Sequence, residues 1–189
     1  MDMQIDEYLK SKNISLYKLA ELSGVSYTTV FNLINGKSDI YNCALGKVLP
    51  IAKALELSVE ELAFLCDRKY SFTLFKSEQC HLVSRMGQVE YIIEVLEDKK
   101  IDQYWRLCCY AEAMYMVGMI DYLSRLNDIQ QCTNYDHIRE HKLKDKIYPI
   151  DAAIENKLSN KKARLKKLEE NAIPEFMRFN IVEGDVLHG

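Results

Sequence analysis

Apolar residues recur at three- and four-residue steps along most of this chain, the period of amphipathic helices. Ile5, Tyr8 and Leu9 predict a helix over 2–11. Ser15 is a good N-cap for a second helix over 16–23, which Gly24 ends. Ser26 caps a third, 27–35, with Val30, Leu33 and Ile34 on its apolar side and Gly36 closing it. After a loop through Lys37–Tyr41, Asn42 can cap a helix that reaches Leu55, with Pro50 inside it as a kink or a restart. Ser58 caps a short helix over 59–66.

The helical period breaks over 68–75, which reads as a linker. It is not rich in Gly or Ser, so it is expected to dock on the second domain rather than swing freely. Further helices are predicted over 76–86, 88–97, 101–126, 134–144, 150–158 and 160–171. The 101–126 segment carries a broad apolar face, from Tyr104 and Leu107 through Met114, Tyr115 and Met119 to Leu126, and is expected to be the central helix of a second core. Phe176 and Phe179 make the segment after Pro174 too apolar for a free end, so they should pack on this domain or on a partner. The expected class is all-α: an N-terminal domain over 1–67 and a bundle-like helical domain over 76–189.

Composition narrows the class. The 189 residues are 48% hydrophobic and 28% charged, ordinary for a globular chain, and the seven Gly and three Pro suit long helices. The longest nearly apolar run, Leu107–Ile120, has 14 residues and includes Glu112. A membrane span needs about 18 or more, so no membrane association is expected. No secretory leader is evident, and a cytoplasmic location is expected. The six cysteines fall in helix-like apolar patterns without a CxxC pair, and are expected to be reduced, buried thiols. His137 and His141 are four apart, but HExxH is absent and their stretch reads as a solvated helix surface. Cys80–His81 imitates a nucleophile–base pair, yet neighbours on a helix point apart. Glycine-rich nucleotide loops and GxSxG are absent. No enzyme activity and no cofactor are expected.

Charge is uneven in kind. Residues 1–67 hold six Lys, no Arg and nine Asp+Glu, for a net of −3, and the remainder is neutral. One tract is basic locally, comprising Lys157, Lys161, Lys162, Arg164, Lys166 and Lys167 with Leu158, Leu165 and Leu168 at helical spacing. It reads as the solvated face of an amphipathic helix, or as an auxiliary phosphate or partner surface.

The most informative stretch is Ser15–Gly36. Two short helices joined at a glycine and locked by apolar residues are what a helix-turn-helix needs. Leu19 and Ala20 lie where the second helix crosses, Gly24 permits a left-handed turn, and Val25, Val30 and Leu33 pin the second helix. Tyr27, Thr28, Phe31 and Asn32 are left on its free face.

On these residues the segment 1–67 resembles the lambda-repressor-like (XRE) helix-turn-helix family. The shared elements are Leu19-Ala20, Gly24-Val25-Ser26, Thr29-Val30, Gly36-Lys37, Ile51-Ala52-Lys53-Ala54-Leu55 and Ser58-Val59-Glu60-Glu61-Leu62. The resemblance covers about a third of the chain and leaves 76–189 unassigned. It implies that Tyr27, Thr28 and Asn32 meet base edges, with Phe31 beside them. It also implies that Ser15, the backbone N–H of Leu16, Ser26, Thr29 and Asn35 meet phosphates. Lys37, the only basic residue of the following loop, is expected to meet phosphate as well; that loop runs longer than is usual in the family through Ser38–Cys43.

Base chemistry leans one way. An Arg–guanine contact is excluded for 1–67, whereas Asn32 can pair with adenine and Thr28 and Phe31 can meet a thymine methyl. The expected partner is double-stranded DNA with an A/T-weighted operator, bound by a homodimer because one acidic module binds phosphate weakly. The expected role is a dimeric repressor. A specific form is the antitoxin-like autorepressor, with a cognate protein partner held by the second domain or by Phe176–Val182. The alternative is a protein-interaction module that keeps the fold without binding DNA, favoured by the negative charge and the missing Arg.

Overall fold

The computed structural model describes residues 4–67, 70–159 and 162–187, with backbone alone over 155–159 and at 162. The first residues of the expected 2–11 helix, residues 68–69 of the expected linker, and the side chains of Lys157, Leu158, Lys161 and Lys162 lie outside that description. The chain divides into two compact units, Met1–Ser71 and Phe72–Gly189. Both are helical, and among the described residues the only β-pairing is an isolated parallel bridge, Ile147 with Ile181.

The first unit contains α1 (Gln4–Ser11), α2 (Leu16–Ser23), α3 (Tyr27–Ile34), α4 (Leu45–Ala54) and α5 (Val59–Leu65). Three of its caps are those the sequence supplies. The Ser15 and Ser26 hydroxyls accept from the backbone N–H of Lys18 and Thr29, and Ser58 and Glu61 form a reciprocal capping box. Gly24 ends α2 at φ +67, where a side chain would be strained. Helix α2 packs on α3 and α4, α4 on α5, and α1 on α5. Ile5, Leu19, Val30, Leu33, Ile51 and Leu62 fill the middle, and the Tyr8 hydroxyl donates to the Leu55 carbonyl.

The fourth helix differs from expectation at its start. Asn42 does not cap it; its side chain donates to Asp39, which organises a 3-10 turn at Ile40–Asn42. Ala44 precedes α4 without a side-chain cap, and Pro50 sits inside a continuous helix. A mid-helix proline loses one hydrogen bond and crowds the carbonyl four residues back. Here that residue is Gly46, although a Cβ there would meet nothing within 4 Å, so its lack of a side chain does not account for the tolerance.

The second unit contains α6 (Phe72–Met86), α7 (Gln88–Glu97), α8 (Lys100–Arg106), α9 (Tyr110–Leu126), α10 (Asp136–Arg139), α11 (Ile150–Ser159), α12 (Lys162–Glu170) and α13 (Pro174–Met177). Helix α9 is its axis, packed by α6, α7, α8, α10 and α13, and is buried on nearly every side from Glu112 to Ser124.

Three boundaries depart from those the sequence predicts. Phe72–Phe75 is the first turn of α6, not linker, because both rings join the core around Tyr115. The expected 101–126 helix is two helices. Cys108 takes φ +61 and the N–H of Cys109 returns to the Tyr104 carbonyl, ending α8 before α9 begins. The expected 134–144 helix stops at Arg139, because Leu143–Ile147 instead bonds the backbone of Phe179–Val182. Phe176 and Phe179 are fully buried in this unit, one of the two fates expected of them.

Candidate nucleic-acid interface

Helices α2 and α3, with the Gly24 turn between them, form a helix-turn-helix. Leu19 is fully buried beneath the crossing, as are Val30 and Leu33 on α3. Ala20 and Val25, expected as locking residues, are half-buried. The opposite side of α3 carries the four residues singled out for base contact. Thr28 is exposed, and Tyr27, Phe31 and Asn32 are half-buried.

Aromatic contacts organise this face. The Tyr17 ring stacks on Tyr27 with centroids 4.2 Å apart and an interplanar angle of 16°. Tyr27 in turn meets Phe31 at 6.0 Å. The Lys37 ammonium lies 4.8 Å from the Phe31 centroid, a cation–π distance. The helix-turn-helix pattern alone does not single out Tyr17 for base contact, yet this ring is 73% exposed beside α3. An aromatic side chain in the first turn of α2, off that helix's buried side, is the signal that could have found it.

The expected phosphate-contacting residues divide into two groups. Ser15, Leu16 and Asn35 line one open groove of about 690 Å³, which also takes in Lys10, Asn13 and Lys18. Ser26, Thr29 and Lys37 are not part of that groove. The Ser26 and Thr29 hydroxyls lie 2.9 Å apart and bond each other. The Asn35 amide donates to the Phe31 carbonyl at 2.9 Å. Lys10 and Lys18 are cations that the motif does not mark, and each is paired on its own helix, with Glu7 at 3.5 Å and Glu21 at 3.1 Å. Asp6 also lines the groove, so its local charge is mixed.

All six cysteines are free thiols, though only Cys66 and Cys109 are buried and the other four are half-buried. Burial pushes the Cys66 thiol up to about 12, far from a reactive thiolate. Cys80 faces the Tyr115 hydroxyl, and burial raises its thiol as well. His137 and His141 both flank Trp105, and the described residues hold no group of three or more potential metal ligands. Among those residues no helix is long and apolar enough to cross a membrane.

The first unit is therefore a helix-turn-helix module with its second helix presented for contact. Residues 4–65 match the family model of the Cro/C1-type HTH DNA-binding domain, so this third of the chain is a domain of that type. No curated protein and no solved structure matches the chain.

Proposed function

We propose that this chain is a sequence-specific DNA-binding transcriptional regulator acting as a dimeric repressor. The observation that carries this reading is the capped α2–turn–α3 unit, whose free face bears Tyr27, Thr28, Phe31 and Asn32 within a Cro/C1-type domain. Asn32 serves as the adenine-pairing residue, and Thr28 and Phe31 meet thymine methyls. Ser15, Leu16, Ser26, Thr29, Asn35 and Lys37 hold the phosphate backbone. No catalysis is assigned to either unit.

A homodimer follows from charge. A module of net −3 without an arginine gains little from phosphate contacts, and two copies reading half-sites about 34 Å apart square the small preference of one. The finer form of the reading is an antitoxin-like autorepressor. The partner surface then lies on the folded second unit, since Phe176, Phe179, Ile181 and Val182 are consumed by its core.

The second reading is an interaction module without DNA binding. It draws on the same negative charge and on Leu22, Tyr41 and Leu45, each at least half exposed. Selection of duplexes from a random pool with the full chain separates the two. The regulator reading predicts paired A/T-weighted half-sites. A G/C-rich consensus contradicts the base-contact assignment, and no enrichment at all contradicts DNA binding and favours the interaction module.

A further inference from the structure

The recognition face is unusual in what it offers a base. Across it runs a fixed strip, Tyr17 on α2, Tyr27 and Phe31 on α3, then Lys37, each member within stacking or cation–π distance of the next. Tyr17 leaves a large ring 73% exposed, although the stacking on Tyr27 holds it in place. Arginine is absent from residues 1–67, so the strongest hydrogen-bonded readout of guanine is missing. What the rings offer is preorganised apolar area.

Only one apolar group is displayed in the major groove, the methyl on C5 of a pyrimidine. It belongs to thymine and equally to 5-methylcytosine. The geometry points to the Tyr17–Tyr27–Phe31 strip as a reader of C5-methyl pyrimidines, with the methyl seated against the ring edges and the Lys37 ammonium beside them for the adjoining phosphate. This rests on the DNA-binding reading and names what sets its specificity. Because Tyr17 stacks on Tyr27, and Tyr27 packs at a tilt against Phe31, contact with a methyl freezes little additional side-chain motion.

The test uses the full chain and a duplex recovered from a random pool. The same duplex is synthesised with deoxyuridine in place of thymidine, which deletes the methyl alone. Loss of one buried methyl is worth about fourfold in affinity, so a half-site with two contacted methyls should weaken by roughly tenfold or more. Tyr17→Ala, at the most exposed ring, and Phe31→Ala should each bind the thymidine duplex more weakly and discriminate less against the deoxyuridine form. Circular dichroism of both variants shows whether they fold, and the Tyr17 site is exposed enough to tolerate truncation.

The A·T pair most sensitive to demethylation is then rebuilt as G·C and as G·5-methylcytosine. Rescue by the methylated form assigns the strip to any C5-methyl pyrimidine, and absence of rescue confines it to thymine. Equal affinity of the wild-type chain for thymidine and deoxyuridine duplexes, within twofold, overturns the inference and leaves DNA binding intact. Failure to recover any duplex overturns both.

Discussion

Asp121 keeps a carboxylate in the second core with 4% of its side chain exposed, because guanidinium groups meet it from two sides. Arg139, itself 8% exposed, donates to both carboxylate oxygens at 2.9 and 2.6 Å, and Arg178 adds a contact at 3.3 Å. Removing Asp121 leaves the buried Arg139 guanidinium with only its bond to the exposed Asp136, at 2.7 Å. Asp121→Ala is expected to lose about 3–5 kcal/mol, measured as a shift in the urea midpoint; a loss below about 1 kcal/mol would contradict this. Glu175 carries a pH signature. Its bond to Arg125 holds its carboxyl below the usual carboxylate range. The unfolded chain then binds the proton more readily, so the stabilisation is full above the ordinary value of about 4.3 and is lost as pH falls. Glu175→Gln should lower stability at neutral pH and flatten the acid loss that sets in as pH falls below about 5. A variant with an unchanged acid profile would show that the bond contributes nothing.

At the scale of elements, α13 leans on the one glycine of the central helix. A Cβ at Gly118 would stand 2.9 Å from Cδ1 of Phe176 and 3.2 Å from the Glu175 carbonyl oxygen. Gly118→Ala should therefore cost about 1–3 kcal/mol by pushing α13 off α9, readable in thermal unfolding and in faster amide exchange of the Phe179–Val182 backbone. An unperturbed melting temperature would contradict that. The first unit is legible in the sequence because its boundaries are local chemistry: Ser15, Ser26 and Ser58 cap where they stand, and Gly24 turns where the motif needs it. The second unit is less legible because its boundaries depend on distant groups. Nothing near Cys108 in the apolar pattern marks the end of α8, and nothing near Glu140 announces that the following extended segment will bond residues beyond Phe179. The candidate site is readable along α3 by the same local logic. Tyr17, Lys10 and Lys18 escape it because their place beside α3 depends on how the helices cross.

For the whole molecule the governing quantity is charge. Residues 1–67 carry six lysines against nine carboxylates, and two lysines lining the groove with Ser15, Leu16 and Asn35 are already paired with glutamates. Serine, threonine, asparagine and backbone donors position phosphates without releasing counterions. A dimer presenting two or three lysines per half should show a logarithmic salt slope of roughly −4 to −5. A slope beyond about −8 would mean that cations outside these residues, such as those of the tract around Lys166 and Lys167, reach the DNA. Whether the free face of α3 reads a DNA sequence is decided by titrating the full chain against the duplex upstream of its own gene. The titration is run at low and physiological salt, beside an unrelated duplex and with the Asn32→Ala variant. Preferential binding to the upstream duplex is expected, weakened by salt, with the preference lost in the variant. Equal binding to both duplexes by wild type and variant, or none at low salt, would contradict sequence reading by this face.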